Sequence, residues 1–475
     1  MKAVAAVDLG ATSGRVILGY VSGSELRMKH VARFPNQPVR TTDGLHWNVL
    51  ELYRSVTAGL ASALRDEPGV ASIGIDSWAV DYGLLRGDHL VQTPFHYRDE
   101  RTAAGVADVH ARIPADELYR RNGLQHLPFN TVFQLAADRA AGVLDIADRA
   151  LLIPDLFAYW LTGAHATEIT NASTTGLLDP FTRDWDTELF ARTELPPELF
   201  APLIEPGASL APLLPGVAAE LGASQGLGVT AVGSHDTASA VVGVPASDEN
   251  FAYISSGTWS LVGVELAKPV VSLEGLAANF TNEGGVDGRI RYLKNVSGLW
   301  LLSESIRAWE KRSGESIELT ALLAEAAAIR GPVTVFDAAD ERFIAPGNMP
   351  GRIVEWCVEH GREQPRTRAE FVRSILESLA VAYAVTIEQA AELSGVRVDV
   401  IHIVGGGSQN ALLCQLTADA TGRPVLAGPV EATAIGNILV QARAAGIVSG
   451  SLESLRAIVR AAHPPVRFEP RGRQS

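Results

Sequence analysis

Lys2-Ala3-Val4-Ala5-Ala6-Val7-Asp8-Leu9-Gly10-Ala11-Thr12-Ser13-Gly14-Arg15-Val16-Ile17-Leu18 is the stretch that decides how this chain is read. Residues 4–7 and 16–18 are apolar runs of strand type, and the acid, glycine and hydroxyl residues between them form a turn. Gly10 and Gly14 permit tight backbone geometry, Thr12 and Ser13 offer hydroxyl and amide donors, and Arg15 adds a fixed positive charge. Such a loop can wrap phosphates. Asp8, at the strand's end, can hold Mg2+ through water, as a hard cation on nucleotide phosphates requires. A plain hairpin with a turn aspartate accounts for the same residues, so the loop alone leaves function open.

The grammar continues along the chain. A third strand-like run covers residues 73–75, and a helical pattern at residues 151–161 closes on Thr162-Gly163, giving the strand–helix alternation of an α/β domain. Residues 201–216 are rich in Pro and small side chains; an apolar strand at 229–232 then leads into Gly233-Ser234-His235-Asp236. We place a domain boundary near Pro245, giving domains 1–244 and 245–475. The second half repeats the opening: a strand at 252–254, the turn Ser255-Ser256-Gly257-Thr258, and a strand at 259–264, the mark of a duplicated hairpin. Thr367-x-x-Glu370 is a capping box that starts a long helix running to Leu393, with Gly395 beyond it. A buried strand at 398–404 delivers Gly405-Gly406-Gly407, and a helix from Ala411 follows, so backbone N–H groups converge where a ligand can sit. A basic tail, Arg471-Gly472-Arg473, comes late in the sequence.

Composition narrows the class. The 475 residues carry a formal net charge of −14 with scattered basic residues, which removes the electrostatic footprint of a nucleic-acid binder. Phosphate capture by local N–H groups and a cation is indifferent to that global charge. The two cysteines, Cys357 and Cys414, have neither zinc nor disulfide spacing, and no apolar run is long enough for a signal-peptide core or a membrane span. A cytoplasmic protein is expected, with no membrane and no nucleic acid among its partners, as a monomer or homodimer.

No Gly-Lys pair exists for a Walker loop, and Gly405-x-Gly407 is followed by Asn410 where a dinucleotide fingerprint needs glycine or alanine. Gly222-Ala223-Ser224-Gln225-Gly226 matches a nucleophile elbow, but it follows a helix-like segment and precedes a strand, the reverse of what an elbow needs. Asp236, after a buried strand, is the candidate base for a phosphoryl acceptor, with His235 and Thr237 placed to hydrogen-bond that acceptor. The plain alternative is a helix N-cap aspartate beside a satisfied histidine.

Taken in order, the motifs resemble the FGGY carbohydrate kinases, and among them the branch acting on L-rhamnulose. The resemblance covers nearly the whole chain and rests on Val7 to Arg15, Ile73-Gly74-Ile75-Asp76-Ser77-Trp78, Tyr97-Arg98-Asp99, Leu127-Pro128-Phe129-Asn130-Thr131 and Ser234 to Ala240. It continues through Ser255 to Ser260, Thr281-Asn282-Glu283-Gly284-Gly285, Leu293-Lys294-Asn295, Gly298-Leu299-Trp300 and His402 to Gly407. It implies an α/β fold of two actin-like (ribonuclease-H-like) domains with an ATP and sugar cleft between them. It further implies ATP and Mg2+ as cofactors and a ketose, L-rhamnulose or a relative such as L-fuculose or L-xylulose, as substrate. By the same resemblance ATP phosphates are met by Ala11, Thr12, Ser13, Gly14, Arg15 and Thr258, the nucleotide by Ser303 and Gly406, and the sugar by Ala79, His235, Thr237 and Asn295. Asp236 takes the acceptor proton. Two positions depart from that branch: Ala79 stands where it has glycine, and Ser303 where it has glutamine. A non-catalytic ATP switch of the actin or chaperone type is the competing class; it would need no base beside a sugar.

Overall fold

The computed structural model describes residues 1–471; Gly472 and Arg473 of the basic tail lie outside the described residues. The chain forms two compact units. The first comprises Met1–Ser247, Glu265–Tyr292 and Ala432–Pro464; the second comprises Asp248–Val264, Leu293–Glu431 and the residues from Pro465 onward.

The first unit is built on six strands: β1 (Lys2–Leu9), β2 (Ser13–Ser22), β3 (Glu25–Pro35), β4 (Val70–Ser77), β5 (Ser209–Pro212) and β6 (Gly228–Thr230), in the order β5-β6-β4-β1-β2-β3. β1 and β2 are antiparallel, while β1, β4 and β6 run parallel. The uninterrupted apolar run of β1 follows from burial on both faces. Ala3, Ala5, Val7 and Leu9 join the core under the helix Val49–Asp66, and Val4 and Ala6 join the core under the helix Ala432–Ala444. The second helix sits close enough that a Cβ on Gly436 would lie 1.8 Å from the carbonyl oxygen of Ser239. From it Asn437 donates to Asp76 Oδ2 at 2.6 Å and Gln441 donates to Asn437 at 2.6 Å, while Ser72 donates to Gln441 at 2.6 Å.

In a second, seven-stranded sheet, β7 (Phe251–Ser256) and β8 (Trp259–Leu266) are antiparallel, and β7 runs parallel to β10 (Val400–Val404), which runs parallel to β11 (Val425–Ala427). β9 (Ile290–Ser297) flanks β8, and β12 (Val466–Phe468) closes the far side. This reproduces β3-β2-β1-β4-β6, so the expected duplicated hairpin is a duplicated half-sheet. The capping box at Thr367 and Glu370 starts the helix Arg368–Ser394, which ends on Gly395 at φ 72°. One expectation is corrected: Leu151 and Leu152 are not helical but end the strand Arg149–Leu152, which pairs with Tyr82–Arg86, and the helix begins only at Ile153, where Pro154 suits its first turn.

After β4 the chain makes a strained turn. Val80, a β-branched residue, sits at φ 67°, where such side chains are rarely found. Asp81, buried, holds the turn. Its Oδ2 accepts Trp47 Nε1 at 2.5 Å, Trp78 Nε1 at 3.1 Å and the Tyr97 amide at 3.2 Å, and its Oδ1 accepts Gln134 at 2.8 Å. Thr131 donates to the Val80 carbonyl at 2.7 Å. Around this anchor Trp47 stacks on His96 with ring centroids 4.0 Å apart, and Trp78 lies 4.0 Å from Trp47.

Two outcomes are expected. Gly436→Ala lowers stability by about 1–3 kcal/mol or more because the methyl meets backbone, whereas Gly216→Ala, with nothing within 4 Å of its Cβ, is neutral or stabilising by up to about 1 kcal/mol; denaturant melts of both variants check the contrast. Burial pushes the Asp81 carboxyl up from 3.8 to about 6, against its four donors. The native state therefore holds a proton that the unfolded chain has released, so this contribution to stability is full below pH 4 and lost as pH rises to 6, on the order of 3 kcal/mol in all. Stability–pH curves of Asp81→Asn and the parent chain should diverge across that window; parallel curves would remove the assignment.

Candidate active site

The pairing of β1 with its neighbours assembles the first part of the site. Asp8 is register partner to Arg15 on β2 and to Asp76 on β4. Arg15 Nε lies 3.0 Å from Asp8 Oδ2. The turn between the strands is closed by the Gly10 amide on the Ser13 carbonyl at 2.9 Å and tied down by Asn36, which donates to the Gly10 carbonyl at 2.9 Å. Ala11, Thr12 and Ser13 are left wholly or partly exposed, while Gly14 is buried between Leu9 and Phe34. Asp76 is fully buried. Burial, and then the neighbouring charges of Asp8 and Asp236, raise its carboxyl well above the ordinary range, although Asn437 opposes the shift.

The loop carrying the candidate base is stitched to the end of β4. Ser77 donates its amide to the Ser234 carbonyl at 2.8 Å, and Ser77 bridges His235. From a second side Glu168 Oε2 accepts the Ser234 amide at 3.0 Å, the Ser234 hydroxyl at 2.8 Å and the Thr170 hydroxyl at 2.5 Å, while Thr170 Oγ1 accepts the His235 amide at 3.3 Å. Asp236 is the first residue of the helix Asp236–Val242; the N-cap position belongs to His235, whose side chain caps nothing. The Asp236 side chain remains 31% exposed while His235 is buried at 7%. Their side chains meet, His235 Nε2 to Asp236 Oδ1, at 3.3 Å, and Thr237 Oγ1 donates to the same oxygen at 3.2 Å.

Sequence reasoning gave no role to three residues that the structure places behind this loop: Glu168, Glu283 and Arg291. Arg291 Nη2 lies 3.0 Å from His235 Nδ1 and Arg291 Nη1 lies 3.0 Å from Glu283 Oε2, while Arg291 Nε donates to the Gly284 carbonyl at 2.9 Å. Burial would raise the Glu283 carboxyl, but the Arg291 guanidinium beside it holds it below its ordinary value. One signal was readable: Arg291 stands inside the apolar run Ile290-Arg291-Tyr292-Leu293, and a charge in such a run needs a buried partner.

Asp8, Ala11, Thr12, Ser13, Gly14, Arg15, Ala79, His235, Asp236 and Thr237 thus all lie in the first unit, and Asn295, Thr258, Ser303 and Gly406 in the second. There the turn at Gly257 and Thr258 accepts the amides of Leu299 and Trp300 at 3.0 and 3.2 Å. The helix Trp300–Ser313 that begins here carries Ser303, exposed, in its first turn. Gly407 packs so closely on Ser256 that a Cβ would lie 2.1 Å from its hydroxyl, which leaves Gly406 exposed beside the β7 end. Asn295 is half-buried on β9. Gly222 ends the helix Pro215–Leu221 and β6 follows, so the apparent nucleophile elbow has the wrong element order, as expected. Both cysteines are buried free thiols. Among the described residues no cluster of three or more His, Cys, Asp or Glu side chains is arranged to hold a metal, and no helix is long and apolar enough to cross a membrane.

Residues 3–243 match the N-terminal domain of the FGGY family of carbohydrate kinases, and residues 252–445 match its C-terminal domain. The chain is 40% identical over 471 residues to a rhamnulokinase of Bacteroides thetaiotaomicron, covering 98% of this chain and 95% of that one. It is 43% identical over 478 residues to a rhamnulokinase of Pectobacterium carotovorum, covering 99% and 94%. In fold it is similar to a ligand-bound xylulose kinase from Lactobacillus acidophilus, with a TM-score of 0.79 at 17% identity over 99% of this chain and 94% of that one. It is likewise similar to a Plasmodium falciparum glycerol kinase with ADP, with a TM-score of 0.78 at 15% identity over 99% and 94%. With both family domains matched along the chain and a paired hairpin-and-strand sheet in each half, this protein is an enzyme of the FGGY family of carbohydrate kinases, with that family's two-domain α/β fold.

Proposed function

We propose that this chain transfers the γ-phosphoryl group of ATP to the 1-hydroxyl of L-rhamnulose, giving L-rhamnulose 1-phosphate and ADP. The observation that carries the reading is Asp236: a partly exposed carboxylate on a loop otherwise buried and tied down, in the same unit as the glycine turn after Asp8. The choice of ketose rests on the 38–43% identity to curated rhamnulokinases over nearly the whole chain.

In this reading Asp236 accepts the proton of the sugar hydroxyl as its oxygen attacks the γ-phosphorus and the bond to the ADP oxygen breaks. His235 and Thr237, with Ala79 on the strained turn and Asn295 on β9, orient the ketose. Ala11, Thr12, Ser13, Gly14, Arg15 and Thr258 receive the phosphates through amides, hydroxyls and one guanidinium. Gly406 and Ser303 meet the nucleotide. Residues 1–244 then supply most of the sugar and phosphate contacts, and 245–475 the nucleotide contacts of Gly406 and Ser303 together with Thr258 and Asn295. Mg2+ fits the donor set present: Asp8 would hold it, and Asp76 Oδ1 beside it is buried with no hydrogen-bond partner among the described residues. When bound it would screen the charge on the transferring phosphoryl group. Neither cysteine is paired, which suits a reducing cytoplasm.

Asp236→Asn is expected to lower kcat by about 10²–10⁴-fold while calorimetry finds ATP affinity nearly unchanged; near-normal turnover would end the assignment of the base. An ADP-coupled assay over L-rhamnulose, L-fuculose and L-xylulose is expected to give the highest kcat/KM on L-rhamnulose. ADP release that ignores added sugar would favour an ATP switch instead.

A further inference from the structure

The histidine before the proposed base is held from behind by a buried ion pair that no part of the reading above uses. Arg291 is 0% exposed, and Glu283 and His235 are buried with it. Buried ion pairs contribute little net stability over apolar packing, because desolvation cancels most of the attraction. This pair also lies directly behind the ring. His235 Nδ1 faces both Arg291 Nη2 at 3.0 Å and Glu283 Oε2 at 3.3 Å, while Nε2 faces Asp236 Oδ1 at 3.3 Å.

We propose that Glu283 and Arg291 are positioning residues for the proton acceptor, fixing the His235 ring with its proton on Nε2 and aimed at Asp236. The inference rests on the proposed role of Asp236. A guanidinium has only donors and keeps its protons, so Nδ1 is the acceptor at the shorter of its two contacts. Glu283 is engaged by Arg291 Nη1 at 3.0 Å and fixes the plane of the guanidinium together with the Gly284 carbonyl. A neutral imidazole then has one N–H left, on Nε2. Its contact and that of Thr237 both fall on Asp236 Oδ1, which leaves Oδ2 as the oxygen for the sugar hydroxyl. Glu168 and Thr170 fix the backbone of the same loop, so ring and main chain are held independently.

The most direct test needs no substitution. Imidazole nitrogen NMR of the full chain with labelled histidine, the signal assigned by its loss in His235→Gln, should show His235 protonated at Nε2 and bare at Nδ1; a ring protonated at Nδ1 overturns the inference. Arg291→Lys, which keeps the charge but loses the fork, is expected to lower kcat 10- to 100-fold, leave KM for ketose and ATP within about threefold, and abolish that tautomer signature. In an Asp236→Asn background the same change should cost less than twofold, since both act through one carboxylate. A raised ketose KM with unchanged kcat in Arg291→Lys, or full additivity with Asp236→Asn, would contradict the proposal. Normal turnover of Asp236→Asn itself would instead strike the base assignment, and the tautomer measurement would still stand or fall by itself.

Discussion

The parallel pairing of β1 with β4, and the stitch from the end of β4 to the loop at residues 234–236, is the constraint on which the first unit's chemistry depends. It gathers Asp8, Asp76 and Asp236 at one end of a sheet, an arrangement that like charges oppose. The surrounding residues answer each charge separately. Arg15 pairs with Asp8, Asn437 donates to Asp76, and burial and the neighbouring carboxylates keep Asp76 disposed to hold its proton. Asp236 keeps the most exposure of the three, so the carboxylate freest to meet a substrate hydroxyl is the one at the helix start.

Order around that carboxylate comes from residues far away in sequence. Glu168 reaches the loop across 66 residues and Arg291 across 56, while Asp81 ties Trp47 into the strained turn across 34. Each is a buried charge with several donors or acceptors satisfied, an arrangement that fixes geometry more than it adds stability. The two indoles and the Tyr97 amide on one Asp81 oxygen explain how Val80 is kept at a positive φ next to Ala79.

The fold was legible because its signature is local. Two apolar runs around a glycine turn, repeated at residues 252–264, announce a hairpin without knowledge of distant partners, and burial on both faces explains why those runs do not alternate. Capping chemistry at Thr367 and Gly395 was legible for the same reason. The strand at residues 149–152 was missed because its apolar residues are continuous with those of the following helix, and only pairing with Tyr82–Arg86 separates them. Of the site, Asp8, His235 and Asp236 were visible as polar residues at strand ends. Glu168, Glu283 and Asp81 were not, since an acidic residue in sequence carries no mark of the donors that will surround it.

The central claim is that Asp236 is the group that meets the acceptor hydroxyl. A crystal structure with L-rhamnulose and a non-hydrolysable ATP analogue tests it most directly. The account predicts an Asp236 carboxylate oxygen about 2.6–3.2 Å from the sugar's 1-hydroxyl, with His235 still joined to Arg291. A ketose bound with that hydroxyl facing another residue, and Asp236 turned from it, would contradict the account.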